Sequence, residues 1–461
     1  MEDVLRNVLK KIKPDEGEKK EVEEFSKKII SKAEEVGKTF NVKPMLCGSI
    51  AKGTWIANKN ELDLFLLFNP TLPRSHLEKQ GLEIGKQIVK EFNGKFEIAF
   101  AEHPYVSGKI KNNNRTFDVD IVPCYDLKDI IRIKTAVDRT PHHVKYIKDK
   151  LKLPDEVRLL KQFLVSNEIY GADVKTLGFS GYLCELLILA YGKFSNLVKE
   201  ASKWRAPTVV NVERDYKKEE LVKKFKFPLI IIDPVDSNRN VSAAVSVESF
   251  YRFIKACKEF TERPSYKFFF QENIPYSLND ILKEVKKRGT RWYVIKIKRP
   301  QIVEDTLYPQ LRRAINAINK IIIEEGFRTL RKDVYCDEDS CYLIFEMEIW
   351  LIPKFAKNIG PNVYSKHAED FLKYYKNSKI FIEGEYWIVE KERKFIALLH
   401  LLKDFVSKSE EHLLEKGIPS KIAPQMSKAE LYAGGEVFKL MKSKEFGVFM
   451  HNWFEKDLNV V

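Results

Sequence analysis

No stretch of this 461-residue chain reaches the roughly 18 consecutive apolar residues that cross a bilayer as a helix. The first residues, MEDVLRNVLKKIKPDEGEKK, are charged from residue 2 and lack the apolar core of a secretory leader. The expected setting is therefore cytoplasmic, with no membrane partner. Cysteine is scarce: six residues, at 47, 124, 184, 257, 336 and 341, scattered and mostly flanked by apolar neighbours. That argues against a disulfide framework and for reduced thiols. Cys336 and Cys341 come closest to a pair, but no His or second Cys pair stands at zinc-ligand spacing, so a zinc site is not expected. Internal repeats and low-complexity tracts are missing as well.

What is present suits a folded protein of two to four domains, with 44% hydrophobic and 32% charged residues. The formal net charge of +14 favours a polyanionic partner, with nucleic acid ahead of a membrane surface. A Lys/Glu-rich solubilising surface, as in proteins from hot environments, gives the same excess. Composition does not separate the two.

The chain changes grammar several times. Residues 2–38 read as two amphipathic helices broken at Lys13-Pro14, the second carrying Val22, Phe25, Ile29, Ile30 and Ala33 at helical spacing. Short apolar runs at 44–47, 62–68, 95–101, 104–110 and 116–123, with a helical pattern at 75–92, predict an α/β unit with a mixed sheet. From about 143 to 262 the pattern is helical (156–167, 179–192, 246–260), interrupted by the irregular IIIDPVDSNRNVS at 230–242. Beyond Pro264, strands at WYVIKIKRP and 341–353 and a helix at 306–327 predict an α+β unit, ferredoxin-like in kind.

The first functional signal is CGSIAKGTWIANKNELDLFLLF, 47–68. A period of two puts Glu61 and Asp63 on one strand face, and TFDVDIVPCY (116–125) repeats the pattern with Asp118 and Asp120. Neighbouring strands that present acids on one face repel unless cations intervene. A divalent metal held by oxygen ligands, magnesium by preference, resolves this; pairing with Lys or Arg at a sheet edge does so too. Upstream, Gly48-Ser49 follows a predicted strand and opens a stretch able to start a helix, where backbone N–H groups can meet phosphate. Ser49 adds a hydroxyl and Lys52 a cation.

GS, a spacer, ELDLFLLF and then VDIVPCY together resemble the polymerase-beta-type nucleotidyltransferase superfamily. More closely, they resemble the archaeal-type (class I) CCA-adding enzymes. LEIGKQIVKEF, AEHPYVSGKI, AVDRTPHH, EVRLLKQFL, EIYGAD, GFSGYLCELLI, DPVDSNRNV and LYPQLRRA extend the resemblance over at least residues 40–320. It implies a multidomain α/β and α+β fold. The nucleotidyltransferase head would be 1–142, the helical nucleotide-binding neck 143–262, and the RNA-binding region 263–461, with a body to about 355 and a tail from about 356.

The activity implied is template-independent addition of C, C and A to the tRNA 3′ end from CTP and ATP, with two Mg²⁺ ions. Metal ligation falls on Glu61, Asp63 and Asp120, with Asp120 preferred to Asp118 on the VDIVPCY alignment alone. Phosphate and nucleotide contacts fall on Ser49, Lys52, His143, Lys161 and Tyr170. Read without the resemblance, His143 is a helix-capping histidine before it is a ligand contact, Lys161 is a solvated lysine or, between its apolar flanks, a cleft-facing one, and Tyr170 is a packing aromatic or a stacking surface for a base. Arg239 is the candidate for reading the base edge, against a turn arginine pairing with Asp233 or Asp236. The basic run 283–300 is expected to touch the phosphates of the tRNA acceptor stem from a strand. A homodimer is left open. The competing readings are a poly(A)-polymerase-like enzyme, an oligoadenylate-synthetase-like enzyme and a non-catalytic RNA-binding relative.

Overall fold

The computed structural model describes residues 1–100, 102–113, 115–128, 133–270, 275–440 and 443–455. Contacts divide the chain into two compact units, Met1–Glu272 and Asn273–Val461. Among the described residues no helix is long and apolar enough to cross a membrane.

Helix α1 (Glu2–Ile12) buries Leu5, Val8 and Ile12 on one stripe. It stops where Pro14 holds Lys13 extended, at φ −82° and ψ 126°. The Asp15 carboxylate then caps α2 (Glu16–Gly37), accepting from the Glu18 N–H at 2.7 Å. The break separates helices that serve different cores. Helix α1 packs with Val157, Leu160 and Leu164 in a helical core, whereas Val22, Phe25 and Ile29 of α2 pack on the sheet. The segment 1–142 thus lends its first helix to the core of the segment that follows.

That sheet is built from β1 (Lys43–Cys47), then after the one-turn α3 (Gly48–Ala51) β2 (Glu61–Phe68), and after α4 (Arg74–Glu91) β3 (Lys95–Phe100), β4 (Pro104–Asn112) and β5 (Arg115–Tyr125). The strands lie in the order β1-β2-β5-β4-β3, and β2 and β5 form the one parallel pair. All five expected runs are strands; Ala101, at the end of one, lies outside the described residues.

The helices α5 (Thr140–Lys150), α6 (Pro154–Ser166), α7 (Gly181–Tyr191) and α8 (Phe194–Ala201) follow. After them come β6 (Thr208–Val209), α9 (Lys218–Lys224), β7 (Leu229–Ile230) and α10 (Val247–Glu262). Phe163, Phe194, Phe253, Phe260 and Phe269 meet in the helical core. The irregular stretch after β7 is fixed by the buried Asn240, whose side-chain oxygen accepts from the Ile231 N–H at 2.9 Å while its amide donates to the Leu229 carbonyl at 3.1 Å.

The second unit begins with α11 (Leu278–Arg288), β8 (Arg291–Lys298), α12 (Glu304–Glu324), β9 (Arg328–Cys336) and β10 (Ser340–Ile349). A three-stranded sheet from β11 (Phe355–Asn362), α13 (Ala368–Tyr374), β12 (Lys379–Glu383) and β13 (Tyr386–Glu392) is followed by α14 (Leu398–Val406), α15 (Glu410–Glu415), α16 (Ala423–Met426), β14 (Glu430–Ala433) and α17 (Lys444–Glu455). The main sheet is antiparallel in the order β14-β8-β10-β9, the ferredoxin-like arrangement. Its edge strand β14 comes from the segment read as a tail, so body and tail share a sheet.

One expectation changes here. In the run 283–300, β8 is covered on both faces: Trp292 and Val294 enter one core, Tyr293, Ile295 and Ile297 another. Arg288 reaches the buried Glu346 at 2.7 Å and Lys296 faces Glu430 at 3.8 Å. The strand is a central beam, and the exposed basic charge of the run lies mainly on α11.

Candidate active site

Parallel pairing of β2 with β5 sets Glu61 opposite Asp118 and Asp63 opposite Asp120. All four acids share a face, but their surroundings differ. Asp118 is exposed and 3.9 Å from the Lys109 ammonium on the neighbouring β4. Asp63 is partly buried against the turn that leaves β1. Gly48 there has φ +65°, and a Cβ on it would lie 1.6 Å from the Asp63 Oδ2, so only glycine leaves that carboxylate its place.

Burial, and next the Asp120 charge, push the Asp63 carboxyl up to about 6, opposed by Lys52 and Lys161. Burial also raises Asp120, with a hydrogen bond from Ser107 holding it down and Asp118 and Glu61 adding to the rise. Among the described residues no three His, Cys, Asp or Glu side chains are gathered closely enough to hold a metal ion. The donor chemistry nevertheless fits a hard divalent cation: carboxylates on adjacent strands, of which Asp63 and Asp120 are raised by burial and further by their acidic neighbours.

Behind the acids, helices α6 and α7 hold the loop that follows α3. Arg158 donates to the carbonyls of Trp55 (2.8 Å) and Gly53 (2.5 Å) and pairs with Asp155 at 2.5 Å. Lys161, buried, donates to the Thr54 carbonyl at 3.1 Å and hydroxyl at 3.2 Å. Glu185 on α7, fully buried, binds the Lys52 ammonium at 2.6 Å and the Thr54 hydroxyl at 2.8 Å. Burial lowers the Lys161 pKa, Glu185 opposes this, and Lys52 adds to it. Glu185 thus pairs directly with Lys52 and reaches Lys161 only through space, and both lysines act on the Asp63 carboxyl by their charge.

A second polar group centres on Asp233. Its carboxylate meets His143 Nε2 at 2.9 Å and accepts from the Tyr182 hydroxyl at 2.9 Å, the Arg239 guanidinium at 2.9 Å and the Val235 N–H at 3.0 Å. The His143 ring stacks on Tyr182 at 3.9 Å between centroids, and Lys52 lies over the same tyrosine at 5.9 Å. Burial raises the Asp233 pKa, but His143, Val235 and Arg239 together carry it down to about 2. Burial lowers His143, so at neutral pH the ring is uncharged. An ionised carboxylate only accepts, so the proton of the neutral ring lies on Nε2 and Nδ1 is an acceptor. Arg139 binds Asp236 at 2.9 Å beside this group.

The structure therefore brings Asp63 and Asp120 together, sets Lys52 and Lys161 behind them in an internal network, and places His143 and Arg239 on Asp233. Ser49 sits within the four residues of α3, the single turn of helix that follows β1. Tyr170 ends the segment after α6 in a bridge to Phe179, its hydroxyl 3.2 Å from where a Cβ on Gly181 would sit. Burial raises its pKa, as do the charges of Cys184, Glu185, Glu61 and Asp63.

Sequence reasoning passed over Glu185, Thr54 and Tyr182, and gave Asp233 only as an alternative partner for Arg239. Signals were there: Glu185 is the lone charge in the apolar GYLCELLILAY, and Asp233 follows three isoleucines.

Family models and curated relatives match this chain. The family model for the tRNA nucleotidyltransferase second domain matches residues 155–270, and that for the CCA-adding enzyme C-terminal domain matches 288–417. The chain is 38% identical to the CCA-adding enzyme of Methanocaldococcus jannaschii, covering 95% of this chain and 97% of that one. It is 38% identical to that of Archaeoglobus fulgidus (95% and 96%) and 39% to that of Methanococcus maripaludis strain C7 (88% and 91%).

Proposed function

This chain belongs to the family of CCA-adding enzymes, and on that premise we propose how its residues divide the work. The activity is template-independent addition of C, C and A to the 3′ end of tRNA from CTP and ATP. Divalent metal use comes with nucleotidyltransferase membership. We assign it to two Mg²⁺ ions, held by Glu61, Asp63 and Asp120. Such ions, when bound, supply Lewis-acid activation of the 3′-hydroxyl and charge neutralisation of the triphosphate.

The chain's own residues prepare that site. Gly48 admits the Asp63 carboxylate against the backbone, and the β2–β5 register holds Asp120 alongside. Lys52, paired with Glu185, and Lys161, held on Thr54, supply the positive charge that a triphosphate brought to the acids requires, with Ser49 and Tyr170 as further nucleotide contacts. His143 stays neutral and is oriented by Asp233, which also holds Arg239, the residue we assign to the base edge. The observation that carries this reading is the pairing of Asp63 with Asp120 in front of a two-lysine, one-glutamate cluster.

We assign the head to 1–142, the neck to 143–262 and tRNA binding to 263–461, with body and tail meeting near 355. The acceptor stem and 3′ end are the parts gripped, by shape, in the cytoplasm. Self-association into a homodimer is a separate expectation that sedimentation velocity decides.

The test is to incubate tRNA transcripts lacking the tail with CTP, ATP or both, and to read products at single-nucleotide resolution. The expected result is two C with CTP alone and CCA with both. A long ladder from ATP alone points to a poly(A)-polymerase-like enzyme, and primer-free oligomers to the synthetase-like reading.

A further inference from the structure

The hairpin joining β9 to β10 reads CDEDSC, and the backbone register sets Cys336 directly opposite Cys341. Directly opposed residues of antiparallel strands have Cα atoms about 4.5–5.5 Å apart, inside the span of about 4.4–6.8 Å that a disulfide bridges. The two sulfurs lie 2.7 Å apart.

The turn between them is held from several sides. Asp337 Oδ1 accepts from the N–H groups of Asp339 (3.0 Å) and Ser340 (2.7 Å), and its Oδ2 accepts from the Tyr342 hydroxyl at 2.7 Å. Arg299 donates to the Asp337 carbonyl at 2.7 Å and pairs with Glu304 at the start of α12 at 3.0 Å. Such a turn leaves the cysteines little freedom to separate, and ordering them is the main cost of joining two thiols. Accessibility is asymmetric: Cys341 is fully buried, Cys336 only partly. The other four cysteines are buried.

We propose that Cys336 and Cys341 form a reversible disulfide, made by exchange with small-molecule disulfides of the cystine or oxidised-glutathione class. The Cys336 thiolate attacks one sulfur of the incoming disulfide and expels the first small thiolate. Cys341, deprotonated in turn, attacks Cys336 and expels the second. Two protein thiols are oxidised, one small disulfide is reduced to two thiols, and the two protons pass to the departing thiolates. The bond ties β9 to β10 at the turn and is independent of the nucleotidyl transfer chemistry. The hydrogen bond to Cys341 and burial hold the Cys336 thiol well above the usual thiol range, so exchange is slow at neutral pH and faster in mild alkali.

The experiment exposes the reduced full-length protein to oxidised glutathione at mildly alkaline pH, and counts thiols after denaturation. We expect titratable thiols to fall from six to four, the proteolytic fragment holding 336–341 to lose two hydrogen masses, and the oxidised protein to unfold at a higher temperature than the reduced one. Cys336→Ser alters a partly exposed position and folds, as circular dichroism checks; it should show no loss of a thiol pair and no thermal shift. Six thiols after prolonged exposure, a glutathione adduct persisting on Cys336, or a link between other cysteines would overturn the proposal.

Discussion

Two polar regions of the first unit treat charge in opposite ways. On the β2–β5 face, Asp63 and Asp120 stand side by side with Glu61 on the same face, and the described ion pair there belongs to Asp118, with Lys109. In the helical segment, every acid of the networks is met: Glu185 by Lys52 and Thr54, Asp233 by His143, Tyr182, Arg239 and a backbone N–H. Buried charge that is paired and hydrogen-bonded holds structure together, and removing one partner is costly. Charge left facing like charge is a standing expense that a protein tolerates where something else is to bind. The contrast separates a frame from the place the frame serves.

The sharpest way to break that contrast is Asp63→Asn. If Asp63 holds metal as assigned, its loss removes several kcal/mol of transition-state stabilisation, so CCA addition in Mg²⁺ should fall by about 10³-fold. Thermal stability without metal should hold or rise, because a repulsion has gone. A fall in melting temperature together with retained turnover would place Asp63 in the frame instead.

Glu185→Gln should do the reverse. It strands Lys52 and Lys161 without a carboxylate, costing about 3 kcal/mol of stability, read by urea unfolding. The pair Lys52→Gln with Glu185→Gln should recover part of that loss, which a purely steric role for Glu185 would not allow.

Asp233→Asn tests the second network through pH. The folded pKa of Asp233, about 2, lies below its unfolded value near 3.9. Its contribution, ~2 kcal/mol, is therefore present above pH 4 and lost as pH falls toward about 2. The variant should lack that portion of the acid-induced loss in a melting-temperature series. It should also widen use of UTP and GTP, because Arg239 loses its anchor; an unchanged ratio of kcat/KM among the four triphosphates would detach Arg239 from base choice.

Gly48→Ala is the mildest break. A left-handed backbone costs an L-residue about 1–2 kcal/mol, and the new methyl displaces the Asp63 carboxylate. Activity should drop more than stability, with the Mg²⁺ concentration for half-maximal rate raised. Equal loss in both would mean that the close approach serves only the turn.

Much of the site was legible before any coordinates. Alternation in ELDLFLLF and TFDVDIVPCY marks strands with acids on one face because period-two geometry is local, and Pro14 ends α1 for an equally local reason. The helices at 156–167 and 246–260 showed in their apolar stripes and form at 154–166 and 247–262. The basic run 283–300 misled because Lys and Arg at the ends of WYVIKIK mask a strand apolar on both faces.

Local sequence pattern sets the elements and the kind of chemistry: strands bearing paired acids, a glycine turn before them, and a helical partner. Tertiary structure alone decided which acids meet. Asp118 and Asp120 have the same alternation, and only the β2–β5 register puts Asp120 beside Asp63 and leaves Asp118 to Lys109. It likewise decided that Lys52 and Lys161 converge on Thr54 and Glu185, more than a hundred residues apart in the chain for Lys52 and Glu185, and that His143 and Arg239 meet on Asp233. The physical reason is one of range. Propensity and periodicity act over a few residues, whereas a charge finds its partner through packing, and burial then sets how strongly the two are bound.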